Sequence, residues 1–377
     1  MSTHLSRREL LKKGALASAL LTIPGVGISE FVTQPSLIIP KRNSDDTVKL
    51  NSNENPYGPS KSAREAIINS ISEGNRYPRN QIKKLKKIIA DKEGLTADHI
   101  MITAGSTELL GLAGLVYGLK GGNLISSQPT FDFLLEYSSR IGANWIKVPL
   151  TEDHQYNLEG IRKATDSNTK LIFVCNPNNP TGVEIPHEDV KSFCKEMAPK
   201  YPVYLDEAYI ELSSMGLKGS MAAMVDEYPN LIVARTFSKI YGMAGLRIGY
   251  ALAHPKTIKN LSYHHTGRNI TPSVTSIAAA IASIQDDEFF EMSRSLNAKA
   301  RNLVSSRFEE WGVSYLPSNT SFIFFKTEKF DVDIRKELEK RNVFIRNYGH
   351  VPGWARVSMG TMEEMEIFLD ETKGLIA

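Results

Sequence analysis

Residues 234–252, ARTFSKIYGMAGLRIGYAL, set Lys239 in a loop between two apolar runs, LIVARTF (231–237) and LRIGYALA (246–253), with Arg247 eight positions further on. Short apolar runs of the same kind recur upstream: HIMITAG (99–105), NLISSQP (123–129), NWIKVPL (144–150), KLIFVCNP (170–177) and PVYLDEA (202–208). Most are bounded by Gly, Pro, Asn or Ser, and helical patterns fill many of the gaps. That alternation predicts an α/β fold, a largely parallel sheet covered on both faces. After a long helical pattern at 273–311 the signal changes. SFIFFKT (321–327) and WARVSMG (354–360) are isolated strands around a helix at 331–341, and a last helix starts at Met362. These features predict a large domain over 76–288 and a smaller α+β domain built from 43–75 and 289–377.

The totals exclude several classes of function. A formal net charge of +3 over 377 residues is too small to argue for nucleic acid. The basic run KKLKKIIADK (83–92) carries Leu85, Ile88 and Ile89 at helical spacing and reads as the solvated face of a helix. Two cysteines give no disulfide framework, and eight histidines show no HxxxH or HxH spacing, so no metal is expected. The amino terminus stands apart. SRRELLKKGALASALLTIPGVGI (6–28) pairs Arg7 with Arg8 ahead of an apolar stretch from Gly14 to Ile28, and it resembles a twin-arginine export signal. It implies a signal and linker over 1–42, contact with the export machinery, and a periplasmic or exported protein. The alternative is a cytoplasmic protein with an N-terminal extension.

In open α/β sheets ligands sit beyond the carboxyl ends of the strands, and four strands here end in reactive or anion-binding residues. MITAGSTELLGLAGL (101–115) places Ser106 and Thr107 where a strand turns into a helix, an anion site or simple N-caps. LIFVCNPNNPTG (171–182) ends in Asn176, Asn178 and Asn179. VYLDEAYIEL (203–212) ends in Asp206 and Glu207, with Tyr209 just beyond. LIVARTFSK (231–239) ends in Thr236, Ser238 and Lys239. One ligand uses that whole set, pyridoxal 5′-phosphate. Lys239 would take its aldehyde as a Schiff base, and Asp206 would hold its pyridine nitrogen protonated. Asn179 and Tyr209 would meet its ring oxygen. Ser106, Thr107, Thr236, Ser238 and Arg247 would hold its phosphate.

NPNNPTG, DEAYIEL and RTFSKIYGMAGLRIGY resemble the class I/II aminotransferases of fold type I. With LNSNENPYGPS (50–60) the likeness is greatest to the histidinol-phosphate aminotransferase subgroup, and it runs from about residue 48 to the end. The resemblance implies further roles. Phe131 in QPTFDF would stack on the cofactor face, in a place where the family usually has tyrosine. Tyr77 in NRYPRNQ would reach the cofactor phosphate of a neighbouring subunit, which implies a homodimer. Arg356 in WARVSMG would grip the substrate α-carboxylate, Arg346 in VFIRNYG would meet a distal anion or merely face solvent, and Asn55 would lie on the substrate side. The implied activity is transfer of an amino group between an amino acid and a 2-oxo acid. The rival readings are an amino-acid-phosphate decarboxylase of the same fold and a non-catalytic pyridoxal-binding module. The substrate stays open at this stage, because histidine biosynthesis has no need of export.

Overall fold

The computed structural model describes residues 47–267 and 269–376; the export-signal reading of residues 1–42 lies outside them. A short strand β1 (Val48–Lys49) comes first. Seven strands follow: β2 (Ile100–Thr103), β3 (Asn123–Gln128), β4 (Asn144–Pro149), β5 (Thr169–Cys175), β6 (Val203–Asp206), β7 (Leu231–Thr236) and β8 (Gly249–Ala253). They form one sheet in the order β2-β8-β7-β6-β5-β3-β4. The helices are α1 (Lys61–Ser70), α2 (Arg79–Glu93), α3 (Ser106–Gly118), α4 (Phe133–Arg140), α5 (Leu158–Ala164) and α6 (His187–Met197). They continue with α7 (Pro255–His264), α8 (Val274–Ser283), α9 (Asp287–Trp311), α10 (Ile334–Lys340) and α11 (Met362–Lys373).

The sheet is parallel except at β8, which runs antiparallel to both β7 and β2. The opening stretch is therefore a tight return between antiparallel neighbours, with Thr236 opposite Gly249. Its second strand starts at Gly249, later than the apolar run suggests, because Ala244–Leu246 forms a 3₁₀ turn and Arg247 is left-handed at φ 51°. Strand alternation sorts the side chains of β6 and β7. Val203, Leu205 and Val233 join one core, whereas Tyr204, Ile232 and Ala234 join the core on the other face with Leu109 and Leu112 of α3. Asp206 and Thr236 continue the α3 face, and Arg235 and Glu207 continue the opposite one.

A second sheet, in the order β12-β13-β10-β9, is antiparallel: β9 (Tyr315–Leu316), β10 (Phe322–Lys326), β12 (Arg346–Asn347) and β13 (Trp354–Ser358). Its core gathers Phe308, Phe325 and Phe368 with Val48 and Leu50. β1 pairs in parallel with β11 (Val343–Phe344), so the first described residues lie with the carboxyl-terminal elements. α1 departs from the expected grouping of 43–75: it packs on α8, and Ala63 belongs to the core of the large sheet. The single helical pattern at 273–311 is two helices, α8 and α9. They part at Asp286, whose carboxylate accepts the Phe289 N–H as an N-cap.

Candidate active site

The carboxyl ends of β3, β5, β6 and β7, the turn after β2 and the start of β8 meet at one edge of the sheet. A cavity of about 510 Å³ opens there. Ser106, Thr107, Thr236, Ser238 and Arg247 line it, and so do Phe131, Asn179, Asp206, Tyr209 and Lys239. These residues span more than a hundred positions of sequence, and parallel strands that end in register bring them together.

One end of the cavity is built for an anion. α3 begins at Ser106 after Gly105 at φ +80°, and the first N–H groups of a helix have no partner within it. Arg247 reaches this turn, with Nη2 donating to Thr107 Oγ1 at 3.3 Å and Nη1 to Ala244 O at 2.9 Å. A Cβ on Gly105 would lie 2.5 Å from Arg247 Nη2, so only glycine permits the approach. The left-handed backbone of Arg247 is costly for a long side chain and is kept where it aims the guanidinium at the turn. Thr236 and Ser238 add hydroxyls, Thr236 Oγ1 donating to Ser238 Oγ at 2.9 Å.

The opposite end holds a buried carboxyl. Asp206 is 3% exposed, and Oδ1 accepts the Ala208 N–H at 3.1 Å. Burial pushes its pKa up to about 6, against the pull of Ala208 and the nearby Lys239 charge. Lys239 Nζ donates to Asn53 O at 3.3 Å and lies 5.5 Å from the centre of the Tyr209 ring. Burial, helped by the Arg356 charge, lowers this amine to about 8. At pH 7 it would offer roughly 10²-fold more neutral amine than an ordinary lysine. Covalent capture of pyridoxal by cofactor-free protein should therefore accelerate with pH and level off above about 8, as followed by absorbance. A rate still climbing steeply at pH 10 would contradict that environment for Lys239.

Beside this cavity lies a second one of about 560 Å³, which shares Phe131, Asn179 and Lys239 with the first. Arg356 and Arg346 line it and stand directly opposite each other on β13 and β12. Like charges across a strand pair repel, and neither guanidinium has a carboxylate partner among the described residues. Arg356 is 3% exposed; Nη1 donates to Asn179 Oδ1 at 2.7 Å and Nη2 to Asn51 O at 2.9 Å. Its Nε is buried without a partner. A buried guanidinium in this condition calls for an anion in the cavity. Arg346 is exposed, its guanidinium 5.5 Å from the Tyr348 ring.

Two residues of the expected set are not brought to these cavities. Asn55 spends its amide on Ile240 O (2.7 Å) and Ser293 Oγ (3.1 Å), and its oxygen accepts the Tyr57 N–H, so it braces the lysine loop and does not face the second cavity. Tyr77 is 76% exposed and lines neither cavity. Of the three asparagines after β5, only Asn179 lines the cavities. Asn176 accepts the Ile185 N–H, and Asn178 staples Pro129 and Thr181.

Two further features of the site carry no clear mark in the sequence. Asn53, at φ 55°, donates to Tyr209 Oη at 2.8 Å and accepts from Ser358 Oγ at 2.8 Å, which leaves the Tyr209 proton free for a ligand. An asparagine inside NSNEN was the available signal. Behind the strand ends, buried Arg235 meets half-buried Glu93 Oε1 at 2.6 Å and buried Glu207 Oε2 at 3.1 Å. Breaking such a group would strand a buried charge. Nothing in one sequence points to Glu93 as the partner.

A lysine, a buried carboxyl and an anion turn around one cavity define a protein that holds a phosphorylated aldehyde cofactor. The chain belongs to the class I and II aminotransferases, whose family description, "Aminotransferase class I and II", matches residues 45–371. It is a pyridoxal 5′-phosphate-dependent aminotransferase. It is 33% identical over 348 residues to histidinol-phosphate aminotransferase 2 of Nitrosospira multiformis, covering 92% of this chain and 87% of that one. It is 36% identical over 323 residues to histidinol-phosphate aminotransferase 2 of Ralstonia nicotianae, covering 84% and 85%. Among solved structures it resembles histidinol-phosphate aminotransferase from Sinorhizobium meliloti in complex with pyridoxal-5′-phosphate. The TM-score is 0.80 at 26% identity, with 93% of this chain and 100% of that one covered. The residues around the first cavity fit that cofactor, with donors for a phosphate at one end, a carboxyl for a pyridine nitrogen at the other, and Lys239 within reach.

Proposed function

We propose that the chain transfers the amino group of a small anionic donor to a 2-oxo acid, with the reacting carbon held between Lys239 and the Arg356–Arg346 pair. The unpaired, mutually opposed arginines in one cavity carry this reading, because an anion relieves both the repulsion and the buried charge. Arg356 would hold the carboxylate beside the amine-bearing carbon, and Arg346 a second anionic group at the exposed end. Phe131 would stack on the ring, and Asn179 Nδ2 and the Tyr209 hydroxyl would donate to the ring oxygen. Bound pyridoxal 5′-phosphate supplies the electron sink that makes the α-proton removable. Lys239 Nζ would take that proton and return it to the carbon on the far side of the amino nitrogen, two bonds away, and its low pKa makes it a competent base near neutral pH. Asp206 holds the proton on the pyridine nitrogen. The relatives' names support a phosphorylated donor, whose phosphate would meet the arginine pair in place of a carboxylate, and glutamate, with a carboxylate at each end, fits the same two arginines.

The test is a panel of donors (glutamate, aspartate, aromatic amino acids and histidinol phosphate) with the products analysed. Dianionic donors should be converted fastest, each giving a keto product, and release of carbon dioxide would refute transfer. Arg356→Lys should raise KM for glutamate about 10- to 100-fold, since one ammonium cannot replace a forked guanidinium, while leaving cofactor affinity near that of the parent protein. Equal loss of both would argue against Arg356 as a substrate group.

Exposed Tyr77 supports a homodimer in which it completes the partner's phosphate site. Sedimentation finding only monomers in the active protein would refute this. The paired arginines near the amino terminus support export, and full-length protein confined to the cytosolic fraction would refute that.

A further inference from the structure

We infer that Glu108 is a positioning residue for the cofactor phosphate: it holds the Gly105–Thr107 turn in its receiving shape by tying it to the loop after α7. The inference rests on reading this end of the cavity as the phosphate end. Glu108 directly follows Ser106 and Thr107 in the first turn of α3, yet it does not line the cofactor cavity. Its carboxylate is engaged elsewhere. Oε2 accepts the Ala104 N–H at 2.6 Å and the Thr271 hydroxyl at 2.6 Å. Oε1 lies 3.2 Å from His265 Nε2, a close contact without hydrogen-bonding alignment.

His265 is itself buried and oriented. Its Nδ1 accepts the Asn269 N–H at 3.0 Å, which leaves the ring proton on Nε2, toward Glu108. Burial alone would raise the Glu108 carboxyl; the nearby His265 ring and the hydrogen bonds from Thr271 and Ala104 outweigh it and hold the group below the usual range. The carboxylate is thus charged at neutral pH and occupied by donors outside the cavity.

The consequence falls on the turn. Ala104 precedes the N-cap Gly105, and binding its N–H fixes the chain where it must enter a positive φ. The N–H groups of Ser106 and Thr107 then have no protein acceptor among the described residues and stay available for an anion. Thr271 and His265, more than a hundred and fifty residues away in sequence, lock that geometry from outside. A mere helix cap would need only the local bond to the backbone. Here the same carboxylate also recruits two side chains from a distant loop.

The experiment measures apoenzyme affinity for pyridoxal 5′-phosphate and for pyridoxal, which lacks the phosphate, with the thermal shift produced by inorganic phosphate. Glu108→Ala should weaken pyridoxal 5′-phosphate binding at least about tenfold, leave pyridoxal within about twofold, and abolish the phosphate shift. Glu108→Gln keeps an oxygen for Ala104 and Thr271 and should retain most of the affinity. Thr271→Val should move the ratio of the two affinities the same way by less, and serves if the alanine variant fails to fold. Equal weakening of both ligands, or unchanged pyridoxal 5′-phosphate binding, would overturn the inference. If inorganic phosphate and pyridoxal 5′-phosphate fail to protect the parent protein, the reading of the cavity fails instead.

Discussion

Replacing Lys239 by alanine is expected to lower kcat by at least about 10⁴, because in the proposed reaction one amine would be both the covalent anchor and the proton carrier. No other lysine among the described residues lines either cavity, so no neighbour can take over. The anion turn and Asp206 stay in place in this variant, and it should still bind the cofactor. Borohydride reduction should then leave the peptide spanning 236–247 unmodified, whereas in the parent protein it should gain the mass of the reduced cofactor. A small added amine should restore a fraction of turnover. Activity within about tenfold of the parent would remove Lys239 from the mechanism.

The second large effect concerns Asp206, and it has opposite signs for activity and stability. Asp206→Asn keeps the shape and an oxygen for the Ala208 N–H but cannot hold a proton on the pyridine nitrogen. We expect kcat to fall about 10²- to 10³-fold with cofactor still bound. In the cofactor-free protein the buried carboxylate is a burden. Its folded pKa of about 6 lies above the unfolded value near 3.8, so its contribution to stability is fully present below pH 4. That contribution is lost as pH rises through about 6, and the shift corresponds to roughly 3 kcal/mol at most. The asparagine variant carries no such penalty, so without cofactor it should be the more stable protein at pH 7 and lose the pH dependence between about 4 and 6. Denaturant unfolding at pH 4.5 and 7 measures both. Equal stability of the two proteins at both pH values would mean that Asp206 is not desolvated as the fold implies. Cofactor should also raise the melting temperature of the parent protein more at pH 7 than at pH 5, since a pyridinium partner favours the charged carboxylate.

These two residues were legible early because each breaks a local rule. A carboxylate at the end of an all-apolar strand and a lysine between apolar runs are expensive unless a ligand uses them. The other residues of the first cavity could be grouped once the ends of parallel strands were known to share an edge. Asn55, Asn176 and Asn178 show the limit of that logic, for they sit in equally suggestive motifs and are spent on bonds within the protein. An amide side chain bonds whatever the tertiary fold brings near, and spacing along the chain does not say what that is. Likewise, the apolar runs around Lys239 read as strands of an ordinary parallel sheet, and only the turn at 244–247 reverses β8.

The sequence by itself determined the alternation of strands and helices and the sheet edge at which Lys239, Asp206 and the Ser106–Thr107 turn gather. These follow from local periodicity and from the cost of burying polar groups, both of which act over a few residues. The tertiary structure alone decided that Arg346 stands across from Arg356, that Asn53 orients Tyr209, and that Glu108 is tied to His265 and Thr271. Each of these pairs joins positions set by the register of strands or the packing of distant loops. No local pattern in a single chain encodes such distances.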